Sequence, residues 1–172
     1  MLKLYEIMAK KLTLILWNIR SIYNVGAILR TAEGLGVERV VYSGYTPNPA
    51  KGLPHEREKL VEALHKTALG AELSVPSEYV VEASEAVARL REEGYAIWAL
   101  EQAENSVELG SERFEKLLDE QDKIALILGE ERYGITTEIL AGVDQVIEIP
   151  MKGIKESFNV SVAAGIAIWE LS

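Results

Sequence analysis

No cysteine occurs among the 172 residues, which removes disulfides, thiolate metal sites and thiol nucleophiles, and gives no sign of an oxidising compartment. Histidine is nearly as scarce, with His55 and His65 alone, so a histidine-rich site is excluded and no metal is expected. Long hydrophobic runs are missing too. Leu12 to Trp17 and Ile124 to Leu128 fall far short of the roughly 20 apolar residues that cross a bilayer, so no membrane span is expected. Met1 to Lys11 mixes Lys3, Glu6, Lys10 and Lys11 with apolar residues and lacks a small-residue cleavage site. It does not read as a signal peptide, and the cytoplasm is the expected location. Neither G-x-G-x-x-G nor G-x-S-x-G occurs, and Gly129 to Gly134 has P-loop glycine spacing without the following Lys and Ser/Thr. Dinucleotide redox chemistry, nucleophile-elbow hydrolysis and ATP hydrolysis are therefore disfavoured.

What is present describes a folded chain. Hydrophobic residues make up 48% and charged residues 26%, and the length suits one domain over 1–172 with a full core. The formal net charge of −9 argues against a polyanionic partner, but the average hides an asymmetry. Residues 1–60 carry 9 basic and 5 acidic side chains, and the remainder carries 9 basic and 22 acidic. A basic first third on an acidic body is compatible with a local phosphate-facing surface or with ordinary solvated scatter.

Short Val/Ile/Leu-rich runs at Leu12 to Trp17, Arg39 to Tyr42, Tyr95 to Leu100, Ile124 to Leu128 and Gln145 to Ile149 predict strands. Helical spacing predicts helices over Val25 to Glu33, Glu56 to Leu69, Glu85 to Glu93, Glu112 to Leu118 and Val160 to Leu171. Ser84 and Ser111 stand at expected N-caps, and Gly34, Gly70 and Gly94 at expected helix ends. Strands apolar on both faces, alternating with helices, predict an α/β fold: a parallel sheet flanked by helices. Ser43 to Pro54, with Pro47, Pro49 and Pro54, reads as a long surface loop. In such sheets ligands bind beyond the carboxyl ends of the strands.

Three segments there can carry chemistry. In Asn18 to Gly36, Asn24 and Gly26 read as a turn at a helix start, with Arg30 six residues on, where an arginine can grip a phosphate or pair with a carboxylate. In Leu126 to Ile135 a buried strand ends at Gly129, which permits close approach of a ligand, and Glu130 can accept hydrogen bonds. In Ile147 to Leu171, Ser157 and Asn159 stand at a helix entry, and Ala163, Ala164, Gly165 and Ala167 make that helix thin, for a close chain crossing, a helix interface or ordinary core packing.

Together and in order, N-x-x-x-x-x-N-V-G-A-I-x-R-T-A, L-G-E-E-x-x-G-I and I-P-M-x-G-x-x-x-S-x-N-V-S-V-A resemble the motifs of the SpoU (TrmH) family of RNA ribose 2′-O-methyltransferases, in the SPOUT superfamily. Lys66 to Glu72 also looks like a short, single-domain branch of that family. The resemblance implies a sheet whose C-terminal segment is threaded into a deep trefoil knot, a feature almost absent elsewhere. It implies S-adenosylmethionine as cofactor, held by Gly129, Ile149 and Phe158 with Leu128, Met151 and Val160 nearby; Phe158 stands where the family usually has Leu. The implied catalytic set is Arg30, Asn24, Glu130, Ser157 and Asn159. A guanidinium stays protonated, so Arg30 is expected to bind phosphate and stabilise charge rather than act as a base. Asn24 would orient Arg30 or the ribose, and Glu130 would hold neighbouring loops or the cofactor's amino group. The resemblance further implies a homodimer and an RNA partner, tRNA ahead of rRNA. Two other readings are a non-catalytic RNA-binding or assembly protein that retains the knotted fold, and a methyltransferase acting on small molecules.

Overall fold

The computed structural model describes residues 10–49 and 53–172. Most of the Met1 to Lys11 segment, and residues 50–52 of the predicted Ser43 to Pro54 loop, lie outside them. In chain order the elements are β1 (Lys11–Trp17), α1 (Ile22–Gly34), β2 (Arg39–Ser43), α2 (Pro54–Ala68), α3 (Ala71–Ser74), β3 (Ser77–Val80), α4 (Ala83–Glu92), β4 (Ala96–Leu100), β5 (Val107–Glu108), α5 (Glu112–Asp119), β6 (Lys123–Leu128), α6 (Thr137–Leu140), β7 (Gln145–Glu148) and α7 (Val160–Leu171). Among the described residues the seven strands are all parallel, in the order β3-β2-β1-β6-β4-β7-β5.

The strands are apolar on both faces because both faces are covered. Leu12, Leu14 and Leu16 of β1, with Leu126 and Leu128 of β6 and Trp98 of β4, pack with residues of α1, α2, α5 and α7 in one core. The intervening Ile15, Ile127, Ile97 and Ala99 pack with Ala86 and Leu90 of α4 in the other. The strand starts share a network of ion pairs at the opposite end from the carboxyl termini. Lys11 pairs with Glu38 at 3.1 Å, and Arg39 with Glu93 and Glu78. Such surface pairs individually contribute about 0–1 kcal/mol, so the apolar layers carry the fold.

Ser111 caps α5 as expected, accepting from the Phe114 N–H at 3.2 Å. Ser84 does not cap α4: the helix begins at Ala83, two residues before the expected Glu85, with Glu82 at the N-cap position. Gly70 and Gly94 follow helix ends with φ of 101° and 84°, conformations cheap only for glycine, whereas Gly34 is still helical and Gly36 takes the left-handed turn.

Strand order also positions the site. β6 enters between β1 and β4, and β7 between β4 and β5, so the carboxyl ends of β4, β6 and β7 lie side by side. Helix α7 then returns across α1, burying Ala164, Ala167, Ile168 and Leu171. A Cβ on Gly165 would sit 3.8 Å from the Thr31 methyl, an ordinary contact, so within one chain the thin helix is not demanded by its packing on α1.

Candidate active site

The exits of β4, β6 and β7, with the turn into α7, enclose a cavity of about 320 Å³. Its apolar walls are Leu100, Leu128, Ile149, Met151, Phe158 and Val160, and its polar lining includes Glu101, Gln102, Glu130 and Ser157. The structure thus brings together all six residues expected around the cofactor, Gly129 included, with Glu130 and Ser157 of the expected catalytic set. That volume stands at the lower end of the roughly 300–1,000 Å³ of small-molecule sites.

Asn24, Asn159 and Arg30 do not line the cavity. Asn24 and Asn159 meet beside it. Asn159 is the N-cap of α7: its Oδ1 accepts from the Ser161 N–H at 2.9 Å, and its Nδ2 donates to Asn24 Oδ1 at 3.2 Å. The Asn24 Nδ2 in turn donates to Glu131 Oε1 at 2.9 Å. One asparagine therefore ties α1 to the loop after β6 and to the start of α7, joining all three segments singled out in the sequence.

The start of α1 differs from the turn expected there. Ser21 is the N-cap, accepting from the Asn24 N–H at 3.3 Å, so Asn24 lies in the first helical turn. Gly26 is buried within the helix, where an added Cβ would stand 2.8 Å from the Leu64 carbonyl of α2. This glycine serves a close helix crossing. Arg30 follows about 9 Å further along the axis than Asn24, at 1.5 Å per residue. It is exposed and makes no ion pair or hydrogen bond among the described residues.

The second acid of Gly129-Glu130-Glu131 was not singled out in the sequence, yet it makes the wider contacts. Glu131 accepts from the backbone N–H of Arg20 at 3.0 Å and of Ser21 at 3.2 Å as well as from Asn24. A carboxylate facing the first N–H groups of a helix also meets the positive end of its dipole. Glu130, its side chain only 10% exposed, lies 3.9 Å from the Arg20 guanidinium, and partial desolvation together with that carboxylate raises the pKa of the Tyr45 hydroxyl. Two adjacent glutamates are alike in a sequence pattern, and only the backbone direction leaving β6 separates them.

Glu101 and Gln102 at the exit of β4 were missed as well. Glu101 Oε2 accepts from the Ile135 N–H at 2.9 Å, holding the loop after β6, and the Gln102 side-chain amide donates to the Glu156 carbonyl at 2.8 Å, holding the loop after β7. Gly129 needs to be glycine for a different reason than ligand approach: a Cβ there would stand 2.5 Å from Ile135 and 2.9 Å from the Gly134 backbone. Asn18 is likewise structural. In the left-handed region at φ 57°, it accepts the Tyr45 N–H at 3.0 Å and ties the exit of β1 to that of β2. The Lys66 to Glu72 stretch closes a helix end: Leu69 is left-handed, and Glu72 accepts from His65 at 2.6 Å and from the Gly70 N–H at 2.9 Å.

Burial alone would raise the Glu131 pKa, but the donors from Arg20, Asn24 and Ser21 outweigh it and hold the carboxyl below its ordinary 4.5. A group depressed on folding stabilises fully above its unfolded value, and that stabilisation is lost as pH falls through the folded value. Thermal unfolding followed between pH 6 and 3 is therefore expected to fall less steeply below pH 4.5 in Glu131→Gln than in the wild type. Parallel curves would show that Glu131 does not contribute to the acid limb.

The SpoU rRNA methylase family matches residues 11–169. The tRNA (guanosine(18)-2′-O)-methyltransferase of Thermus thermophilus is 30% identical over 159 residues, covering 92% of this chain and 73% of that enzyme. A 23S rRNA (guanosine-2′-O-)-methyltransferase of Xylella fastidiosa is 32% identical over 161 residues, covering 92% of this chain and 57% of that one. Among solved structures, the A. aeolicus TrmH/SpoU tRNA modifying enzyme superposes with a TM-score of 0.74 at 26% identity, covering 98% of this chain and 79% of that one. An AdoMet-bound rRNA methyltransferase from Sinorhizobium meliloti superposes with a TM-score of 0.78 at 20% identity, covering 95% of this chain and 57% of that one. This chain belongs to the SpoU rRNA methylase family of RNA methyltransferases.

Proposed function

We propose that this chain transfers a methyl group from S-adenosylmethionine to a ribose 2′-hydroxyl of RNA, with tRNA its substrate class. The observation that carries the reading is the junction at Asn24, where the amide joins Glu131 and Asn159 at the edge of a cavity built from three strand exits. Relatives named for tRNA and for rRNA are about equally similar, and the larger share of the tRNA enzyme's length that this chain spans favours tRNA.

The cavity suits that cofactor. Apolar walls at Leu128, Ile149, Met151, Phe158 and Val160 match a flat purine and a thioether-like chain, and Glu101 and Glu130 on the lining match its cationic groups. When bound, the cofactor supplies an electrophilic methyl on a sulfonium sulfur. The walls exclude water from the reacting atoms, which strengthens every charge interaction among them. Glu131 and Asn24 hold the start of α1 against the loop after β6, and Ser157 and Asn159 close the α7 side. Arg30 binds the nucleotide's phosphate and stabilises charge on the ribose oxygen; remaining protonated, it does not take the hydroxyl proton, which is released to solvent.

Since Arg30 stands off the cavity of its own chain, it acts at the cavity of a second copy in a homodimer. The exposed Val162 and Trp169, seven residues apart on α7, give that contact an apolar face. The carboxyl segment before α7 is threaded into a knot. The return of α7 over α1, after β7 has entered between β4 and β5, supports this. One domain carries all of these parts. No helix among the described residues is long and apolar enough to cross a membrane.

The experiment is methyl transfer from labelled S-adenosylmethionine to bulk tRNA and rRNA, followed by nucleoside analysis. A single 2′-O-methyl nucleoside in tRNA is expected. Label on a base, or no label with either RNA, overturns the reading.

A further inference from the structure

Tyr133 is an aromatic ring that the fold leaves in water at the edge of the cavity. It is 72% exposed, more than any other exposed aromatic among the described residues, and it lines the cavity rather than a remote surface. The Arg132 guanidinium stands 5.1 Å from the ring centroid, within cation–π range. The loop that carries both is fixed at several points. The Gly134 N–H donates to the Glu130 carbonyl at 2.9 Å, the Ile135 N–H to Glu101 at 2.9 Å, and Glu131 is tied to the start of α1. A ring displayed by an anchored loop has lost its ordering entropy before any ligand arrives.

We propose that Tyr133, backed by Arg132, is the stacking platform for a nucleobase turned out of the RNA when its ribose enters the cavity. This rests on the RNA reading above. A ribose in a stacked helix cannot bring its 2′-hydroxyl into a cavity of about 320 Å³ without its nucleotide leaving the stack. The exposed base then needs another π face, and an aromatic side chain supplies one regardless of base identity. Stacking also suits a chain of net charge −9, since it gains affinity without adding to the phosphate contacts that such a surface makes poorly. Arg132 enlarges the platform and offers a cation to the flanking phosphate.

The test compares wild type with Tyr133→Ala, Tyr133→Phe, Tyr133→Trp and Arg132→Ala. It uses methyl transfer to bulk tRNA lacking 2′-O-methyl groups, and calorimetry with S-adenosylmethionine alone. For Tyr133→Ala the KM for RNA is expected to rise on the order of tenfold, the loss of one stacked base, and by far more than any change in the cofactor Kd. Phe and Trp are expected to retain the wild-type KM. Arg132→Ala is expected to reduce the slope of log KM against log salt by about 1, and Tyr133→Ala to leave that slope alone. Because Tyr133 is exposed, its variants should melt at the wild-type temperature. An unchanged KM in Tyr133→Ala, a cofactor Kd that rises as much as the KM, or a Tyr133→Phe defect equal to that of alanine overturns the platform. A wild type that methylates no RNA defeats the functional reading, and the platform with it.

Discussion

Arg30→Ala is expected to lower kcat for RNA methylation by about 10²- to 10³-fold, the loss typical of removing one group that stabilises developing charge. Its affinity for S-adenosylmethionine and its melting temperature are expected to match the wild type. Folding does not depend on this side chain: Arg30 is exposed on α1 and makes no ion pair or hydrogen bond among the described residues. Cofactor affinity should not depend on it either, because it is absent from the lining of the cavity. What remains for a permanent cation on a family motif is the substrate. Arg30→Lys keeps the charge but not the planar fork, so it is expected to fall between alanine and wild type. The proposed dimer makes a sharper test available. If each arginine serves its partner's cavity, mixing Arg30→Ala chains with Ser157→Ala chains returns about one wild-type site in four, whereas an arginine acting within its own chain returns none. Single-turnover rates and calorimetry on the two variants and their mixture measure all of this. An Arg30→Ala chain with undiminished turnover would remove the residue from the mechanism.

The largest effect on stability is expected from Trp98→Ala, at about 3–5 kcal/mol. Trp98 stands on β4 between β6 and β7, is 2% exposed, and meets Phe114 of α5 edge-on with ring centroids 6.2 Å apart. Truncation removes the apolar burial and leaves a void that strands paired on both sides cannot collapse to fill. For a chain of this size that corresponds to a melting temperature lower by roughly 6–20 °C. β4 continues directly into Glu101 and Gln102, which hold the loops after β6 and β7, so the loss should reach turnover at temperatures where the variant is still folded. Trp98→Phe, which keeps most of the volume, is expected to recover most of both. Calorimetric melting with parallel activity assays decides it, and a fall of only a degree or two would show that the core around β4 repacks freely.

The central strands were legible because β1, β4 and β6 are apolar on both faces, a pattern set by burial under helices on each side. β3 was not: Ser77–Val80 lies at the sheet edge with only Val80 buried, so its residues carry little of that signal. β5 has two residues, and α3 and α6 four each, too few for any period to register. Within the site, Leu128, Gly129, Ile149, Met151, Phe158 and Val160 could be named because they sit in runs whose order matches a family. Glu101 and Gln102 belong to no such run, and their part is defined by backbone groups that arrive from loops about 34 and 54 residues away. Gly26 and Gly129 were recognised as special, but the sequence does not reveal that a neighbouring helix and a returning loop, respectively, fill the space beside them.

The place of β6 in the sheet also dictates an order of assembly. Lys11 pairs with Lys123, so the middle of the sheet joins segments more than a hundred residues apart, and β4 has no neighbour on its inner side until β6 arrives. A chain emerging from the ribosome can build the β1-β2-β3 half early, with its helices α1 and α2. It cannot close the remainder until residue 128 is free of the exit tunnel. Such separation slows folding, and meanwhile the β1-β2-β3 half exposes the edge of β1, while β4 and β5 have no partner until β6 and then β7 arrive. A nascent chain stalled before β6 is therefore the form most exposed to mispairing with its neighbours, and the one in which chaperone capture should be greatest.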